Sequence, residues 1–207
     1  PERRNSERQN GRRFRDSHKP PIISSSQVNP ISRGDCETME ITYTTSDCLL
    51  GRLLTASTAQ GLCMVSIGKS DRELEKRLHS YFPTATANRD DRAMSATHRL
   101  VERRIAGKDL SDKVPLDLHG TPFQKEVWKE MLRIPAGSTR SYGEVARNIG
   151  RPKAFRAVAQ ACGANPIPVV VPCHRVIASG GKLGGYTGGI DRKIVLLANE
   201  GVSVGKQ

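Results

Sequence analysis

Twice in close succession the chain spells the start of a helix. "TPFQ" puts Thr121 at a capping position, Pro122 at the first helical position and Gln124 three residues after the cap; "SYGE" repeats the arrangement with Ser141 and Glu144. In each box the hydroxyl accepts from the third backbone N–H, and the longer side chain reaches back to the cap's own N–H. Phe123, Val127, Trp128, Met131 and Leu132 follow the first box at helical spacing and predict one core-facing stripe. The second box predicts a helix through Val145 and Ile149 that stops at Gly150, and "RPKAFRAVAQACGAN" restarts with Pro152 at its first position. Two short helices across a glycine-containing turn make a helix-turn-helix candidate, although many purely structural helix pairs share the pattern. In the second of them Ala154, Phe155, Val158, Ala161 and Cys162 fall on one side and are expected inward. Lys153, Arg156, Gln160 and Gly163 fall on the other, a thin basic face from which Arg156 projects.

The half before these boxes reads differently. Met39 to Gly68 alternates apolar and polar residues, with turn signals at Ser46–Asp47 and at Ala59–Gly61, and predicts three short antiparallel strands. A helix is expected over Asp71–Phe82, with Asp71 able to cap it and Leu74, Leu78 and Phe82 on one face; a second ends at Gly107. A short strand at Val114–Leu118 could return to the sheet. The fold class is thus α/β of the α+β kind: a small sheet with helices over residues 38–118, then a mostly helical domain over residues 119–207. Residues 1–37 are rich in Arg, Ser, Asn and Pro and are expected to form a mobile basic tail, either a DNA-binding arm or a plain solvated segment. The first residue is Pro rather than Met, which fits a piece of something longer.

Charge narrows the partners. With a formal net charge of +12 on 207 residues, an acidic partner is favoured, nucleic acid first and an anionic membrane surface second. No run approaches the roughly 18–20 apolar residues of a membrane span, and no signal-peptide core opens the chain, so the reading is soluble and intracellular. The five cysteines are odd in number and show no CxxC spacing, and the five histidines are scattered. Neither a disulfide framework nor a metal is expected.

The remaining chemistry lies in "NPIPVVVPCHRV", Asn165 to Val176. Val169–Val171 read as a buried strand that Pro172 ends. A free thiol has a pKa near 8.5, and a neighbouring proton acceptor or positive field raises its thiolate fraction; His174 is the acceptor at hand, and Arg175 could help. In an extended segment adjacent side chains point to opposite faces, so contact between Cys173 and His174 requires a turn or a bridging water. The dipeptide alone is weak evidence of chemistry.

Its context is not weak. "NPIPVVVPCHRV", followed by "GGYTGG" and "LLANEG" and preceded by "GTPFQKEVW", "IPAGSTRSYGEVA" and "RPKAFRAVAQACGAN", resembles the DNA alkyltransferases that repair 6-O-alkylguanine, in register from about Gly120 to Gly201. From "DCLLGRLL" onward the upstream half also looks like the alkyltransferase half of the Ada-type members. The resemblance implies a ribonuclease-H-like N-terminal part, no cofactor, a bacterial cytoplasm (a nucleus if the source is eukaryotic), and a monomer acting on double-stranded DNA that contains 6-O-alkylguanine. It implies Cys173 as alkyl acceptor, His174 taking the thiol proton through a water, Glu200 orienting the imidazole, Tyr142 hydrogen-bonding the departing guanine and Asn165 holding the thiol's segment. Arg156 would fill the base stack when the guanine flips out, from a helix in the minor groove that also presents Lys153, Ala154, Ala157 and Gln160, with Ser141 nearby. Val176, Tyr186, Thr187 and Pro168 would line the base pocket. Two other classes remain: a non-catalytic alkylated-DNA binder, against which Cys173, His174 and Glu200 together argue, and a thiol hydrolase, for which no oxyanion hole is identifiable.

Overall fold

The computed structural model describes residues 38–108 and 113–203; the expected basic tail lies outside the described residues. The alternating segments form β1 (Glu40–Cys48), β2 (Gly51–Thr58) and β3 (Gly61–Gly68), antiparallel in sequence order. A fourth strand, β4 (Thr86–Arg89), runs parallel to β1 and completes the order β3-β2-β1-β4. Strand side chains alternate between faces, which separates even the adjacent Leu53 and Leu54. Leu54 joins Ile41, Ala56, Cys63 and Met64 under α1 (Asp71–Tyr81), which contributes Leu74 and Leu78. Leu53 joins Leu62, Val65 and Ile67 on the other face, under Val101 and Ile105 of α2 (Asp91–Ile105). That second cluster continues into Val127, Trp128, Val145, Val158 and Val171, so the sheet and the C-terminal helices share one core.

Several expectations in this half shift. The first turn falls at Leu49–Leu50, not at Ser46–Asp47, because Asp47 stays in register opposite Arg52 and pairs with it at 3.2 Å. The α1 cap is Ser70, whose hydroxyl accepts from the Glu73 amide; Asp71 instead sits in the first turn and binds Arg52. The strand expected at Val114–Leu118 is a single bridge, Leu62 to Leu116, held by Leu62 N–H to Pro115 O and Asp117 N–H to Leu62 O, each 2.9 Å. Pro115 has no N–H with which to extend the ladder. Strand β4, mostly exposed and without apolar alternation, is the element the sequence pattern did not announce.

Both capping boxes form. In α3 (Pro122–Met131) Thr121 accepts from Gln124 N–H at 3.2 Å and Gln124 Oε1 accepts from Thr121 N–H at 2.8 Å. In α4 (Tyr142–Asn148) Ser141 and Glu144 do the same at 3.2 and 2.7 Å. Trp128 is fully buried, and its indole N–H donates to Ala161 O at 2.8 Å, tying α3 to α5 (Phe155–Gly163). Leu132, expected on the same stripe, follows the last turn of α3 and is exposed.

The α4–α5 turn corrects the other helix start. Gly150 adopts φ 73°, its N–H donates to Arg147 O, and the Arg151 N–H donates to Ala146 O. This closure of the helix end occupies Arg151, so the chain turns through residues 151–154 before helical geometry resumes. Pro152 therefore lies in the turn, and α5 opens at Phe155. Phe155 is not inward: it is 46% exposed, one turn ahead of Val158, the first buried residue of the helix. A final helix, α6 (Ile190–Asn199), and a short parallel pair, β5 (Arg140–Ser141) with β6 (Val176–Ile177), complete the α-helices and strands of the described residues. No helix among the described residues is long and apolar enough to cross a membrane.

Candidate active site

The apolar run ahead of the cysteine is buried, yet it is a turn rather than a strand. Val169 has φ 74°, the left-handed region that a β-branched residue rarely enters, and Val171 N–H closes back onto Ile167 O at 2.8 Å. Pro166 and Pro168 bring no amide N–H with which to build a ladder. Asn165 spans the turn: its Oδ1 accepts from Ile167 N–H at 3.0 Å and its Nδ2 donates to Val171 O at 2.8 Å. Val65 of β3 donates to Pro166 O at 2.9 Å, which roots the turn in the sheet. Backbone strain of this kind costs about 1–3 kcal/mol and persists where the surroundings over-determine it.

From that turn the chain enters a 3-10 segment, Cys173–Arg175, and then β6. Pairing of β6 with β5 sets the Ser141 cap, and Tyr142 after it, beside the cysteine segment. The side chain of Glu200, directly after α6, is only 3% exposed and collects three donors. His174 Nε2 lies 2.9 Å from its Oε1, and Arg175 contributes Nε at 2.8 Å and Nη2 at 2.7 Å. Arg175 Nη1 donates to Ile134 O at 2.6 Å, and Asn199 Nδ2 donates to Ile105 O at 2.7 Å, so the donor Arg175 and the residue before Glu200 are each tied to the surrounding backbone. Arg175 thus serves Glu200 rather than the thiol. Burial alone would raise the Glu200 pKa, but the hydrogen bonds from His174 and Arg175 outweigh it and hold the group at about 2.

A carboxylate only accepts hydrogen bonds, so His174 Nε2 carries the proton and Nδ1 carries the lone pair. Nδ1 is buried and has no hydrogen-bond partner in the protein. Burial lowers the His174 pKa against the opposing pull of Glu200, which keeps the ring neutral. No hydrogen bond joins Cys173 to His174 directly. Burial raises the Cys173 pKa as well, opposed by hydrogen bonds from Asn165 and Tyr186 and by the charge of Lys193. At rest this is a thiol in need of a base, with a base one residue away.

The thiol opens on a cavity of about 260 Å³ lined by Tyr142, Ala159, Cys162, Gly163, Cys173, Gly185 and Tyr186. Burial pushes the Tyr142 phenol up to about 12, so it stays protonated as a donor. Two glycines admit these aromatic walls. A Cβ on Gly184, at φ 67°, would sit 3.2 Å from the Tyr142 hydroxyl, and one on Gly188 would lie 2.9 Å from the Tyr186 ring. A larger open groove of about 430 Å³ along α3, past Gly120 and Lys125, contains none of these groups.

The structure gathers Cys173, His174, Glu200, Tyr142, Asn165 and Tyr186 at one place. Val176, Thr187 and Pro168, also expected in the pocket, do not line this cavity. Val176 is buried in the main core, Thr187 donates its hydroxyl to Gly163 O at 2.9 Å to close the loop against α5, and Pro168 belongs to the turn. Lys153, Arg156 and Gln160 stand exposed on α5 and the turn before it, with Ala154 and Ala157 partly covered beside them. The Ser141 hydroxyl is engaged with Glu144.

Sequence reading missed Lys193. It is fully buried, and its Nζ donates to Val176 O at 2.7 Å, Leu183 O at 2.5 Å and Gly185 O at 3.5 Å, gathering the chain on both sides of the cavity. Burial depresses its pKa to about 8. Its spacing from Leu196 and Leu197 puts it on the buried face of α6, and that was the available signal. Cys162 was expected as a core residue; it is buried, with its thiol 3.5 Å from Met131 Sδ, but it also lines the cavity.

Comparison with known proteins places this arrangement. The family described as "6-O-methylguanine DNA methyltransferase, DNA binding domain" matches residues 122–202. A methylated-DNA–protein-cysteine methyltransferase of Methanosarcina acetivorans is 43% identical over 152 residues, covering 73% of this chain and 93% of that protein. The bifunctional transcriptional activator/DNA repair enzyme Ada of Escherichia coli is 40% identical over 164 residues, 79% of this chain, and the matched chain spans only 46% of Ada's length. The crystal structure of Mycobacterium tuberculosis OGT in complex with DNA superposes with TM-score 0.67 at 43% identity, covering 77% of this chain and 92% of that one. The chain belongs to the methylated-DNA–protein-cysteine methyltransferase family.

Proposed function

We propose that the protein repairs DNA by a single, irreversible transfer of a methyl or other alkyl group from 6-O-alkylguanine to its own Cys173. The reading rests on one observation: Glu200 holds His174 as its Nε2–H form, leaving a buried basic Nδ1 one residue from a thiol that lines a cavity. The Cys173 proton passes to Nδ1 through a bridging water. The sulfur attacks the alkyl carbon and forms the S–C bond, and the C–O bond breaks with its electron pair going to the guanine. Tyr142, protonated by virtue of its burial, donates a hydrogen bond to the departing base and offsets its developing charge. Asn165 and Tyr186 stabilise the transient thiolate through their hydrogen bonds to sulfur. The base reaches the cavity by leaving the duplex, with α5 in the minor groove and Arg156 filling the vacated stack. The protein does this as a monomer, in a bacterial cytoplasm. A thioether does not revert under these conditions, so the protein acts once. With duplex 6-O-methylguanine in excess, a time course should therefore plateau at one methyl group per protein molecule. Continued turnover, or tight lesion binding without transfer, would defeat the reading; the second result would assign the chain to the non-catalytic binders.

A further inference from the structure

Phe155 is the one aromatic residue of α5, and the helix does not bury it: it is 46% exposed at the first helical position. The positions around it are small or basic. Ala154 and Ala157 leave the backbone close to the surface, and Lys153, Arg156 and Gln160 stand exposed on the same turn and helix. The Arg156 guanidinium lies 5.5 Å from the centre of the Phe155 ring, so ring and cation form one layered unit. Cations flanking an uncovered flat ring fit a polyanion that carries flat rings of its own. Every nucleobase offers a π-face irrespective of sequence, and aromatic side chains stack on such faces or wedge between base steps.

We infer that Phe155 is a nucleobase-stacking residue, which enters the base stack of bound duplex beside Arg156 and, through the ring's contact with the guanidinium, positions that arginine. The inference rests on the DNA-repair reading above. Phe155 touches no atom of the cavity that holds Cys173, so its contribution belongs to extraction of the base from the duplex and not to alkyl transfer.

The test is single-turnover reaction of the wild type, Phe155→Ala, Phe155→Leu and Phe155→Trp with two substrates, a duplex carrying one 6-O-methylguanine and the free base 6-O-benzylguanine. Phe155→Ala should slow the duplex reaction roughly tenfold, the scale of one lost base–aromatic stack, and leave the free-base reaction unchanged. Phe155→Leu should be slowed similarly, since it keeps apolar bulk without a π-face, and Phe155→Trp should recover the wild-type duplex rate. Wild-type duplex rates in Phe155→Ala, or full recovery by Phe155→Leu, would overturn the stacking role. Equal losses on both substrates would do the same by tracing the effect to a damaged pocket. A wild type that alkylates with neither substrate would instead overturn the repair reading, and this inference with it.

Discussion

Glu200 decides which nitrogen of His174 is basic, and through it when the site can work. The carboxylate accepts a hydrogen bond from Nε2–H at 2.9 Å and leaves Nδ1 free to receive a proton. Burial depresses the His174 pKa, while the hydrogen bond and charge of Glu200 pull it the other way. An unfolded chain protonates the same histidine near its ordinary pKa of about 6.5. The contribution of neutral His174 to stability is therefore complete above that value and is lost as pH falls below it. Glu200, held at about 2, acts in the same direction further into acid, as pH falls from about 4.3 toward its folded value. For activity, the rate with free 6-O-benzylguanine should hold through the ordinary histidine range and fall only at lower pH. Glu200→Gln should move that acid limb lower still, because the charge that raises His174 is gone, and should cut the plateau rate by roughly 100-fold, the low end of general-base contributions. An acid midpoint at or above about 6.5 in the wild type would contradict the assignment.

At the level of elements, the helices were legible and the thiol-bearing turn was not. The boxes at Thr121–Gln124 and Ser141–Glu144 are local chemistry, and local chemistry is what letters record. Val169–Val171 carries the letters of a strand, but its conformation is set by Asn165 across the turn and by Val65 of a distant strand. Pro152 satisfies the rule for a helix start, yet the closure of α4 on Arg151 takes the position first. The cysteine, histidine and glutamate of the candidate site were found by resemblance to a family; their spacing alone would have left Cys173 a weak signal. Lys193 was hidden because a lysine inside "IDRKIVLLAN" reads as solvated until three backbone carbonyls are found around its Nζ. Lys193→Met would strand those buried acceptors. It should lower unfolding free energy by at least about 2 kcal/mol and slow alkyl transfer, since the positive charge near the Cys173 sulfur goes with it. Denaturation midpoints unchanged from the wild type would refute this account of the lysine.

Across the whole molecule, one face of the sheet and the C-terminal helices bury a common cluster, and the candidate site hangs from that shared core. Val65 anchors the turn before the cysteine, and Ile105 anchors the end of α6 beside Glu200. The α+β organisation could be read from the change of periodicity near Thr121, whereas this dependence of the site on the sheet could not, because long-range backbone bonds leave no mark in local pattern. The formal net charge of +12 marked an acidic partner, and the exposed Lys153 and Arg156, at the α4–α5 turn and the start of α5, give that charge a local address. All of this converges on one atom, the Cys173 sulfur. Intact-protein mass after incubation with duplex DNA containing a single 6-O-methylguanine tests it most directly. The mass should rise by one methyl group, mapped to the peptide that carries Cys173 and absent in Cys173→Ala; an unchanged mass, or a methyl group found on any other residue, would contradict the role of Cys173 as acceptor.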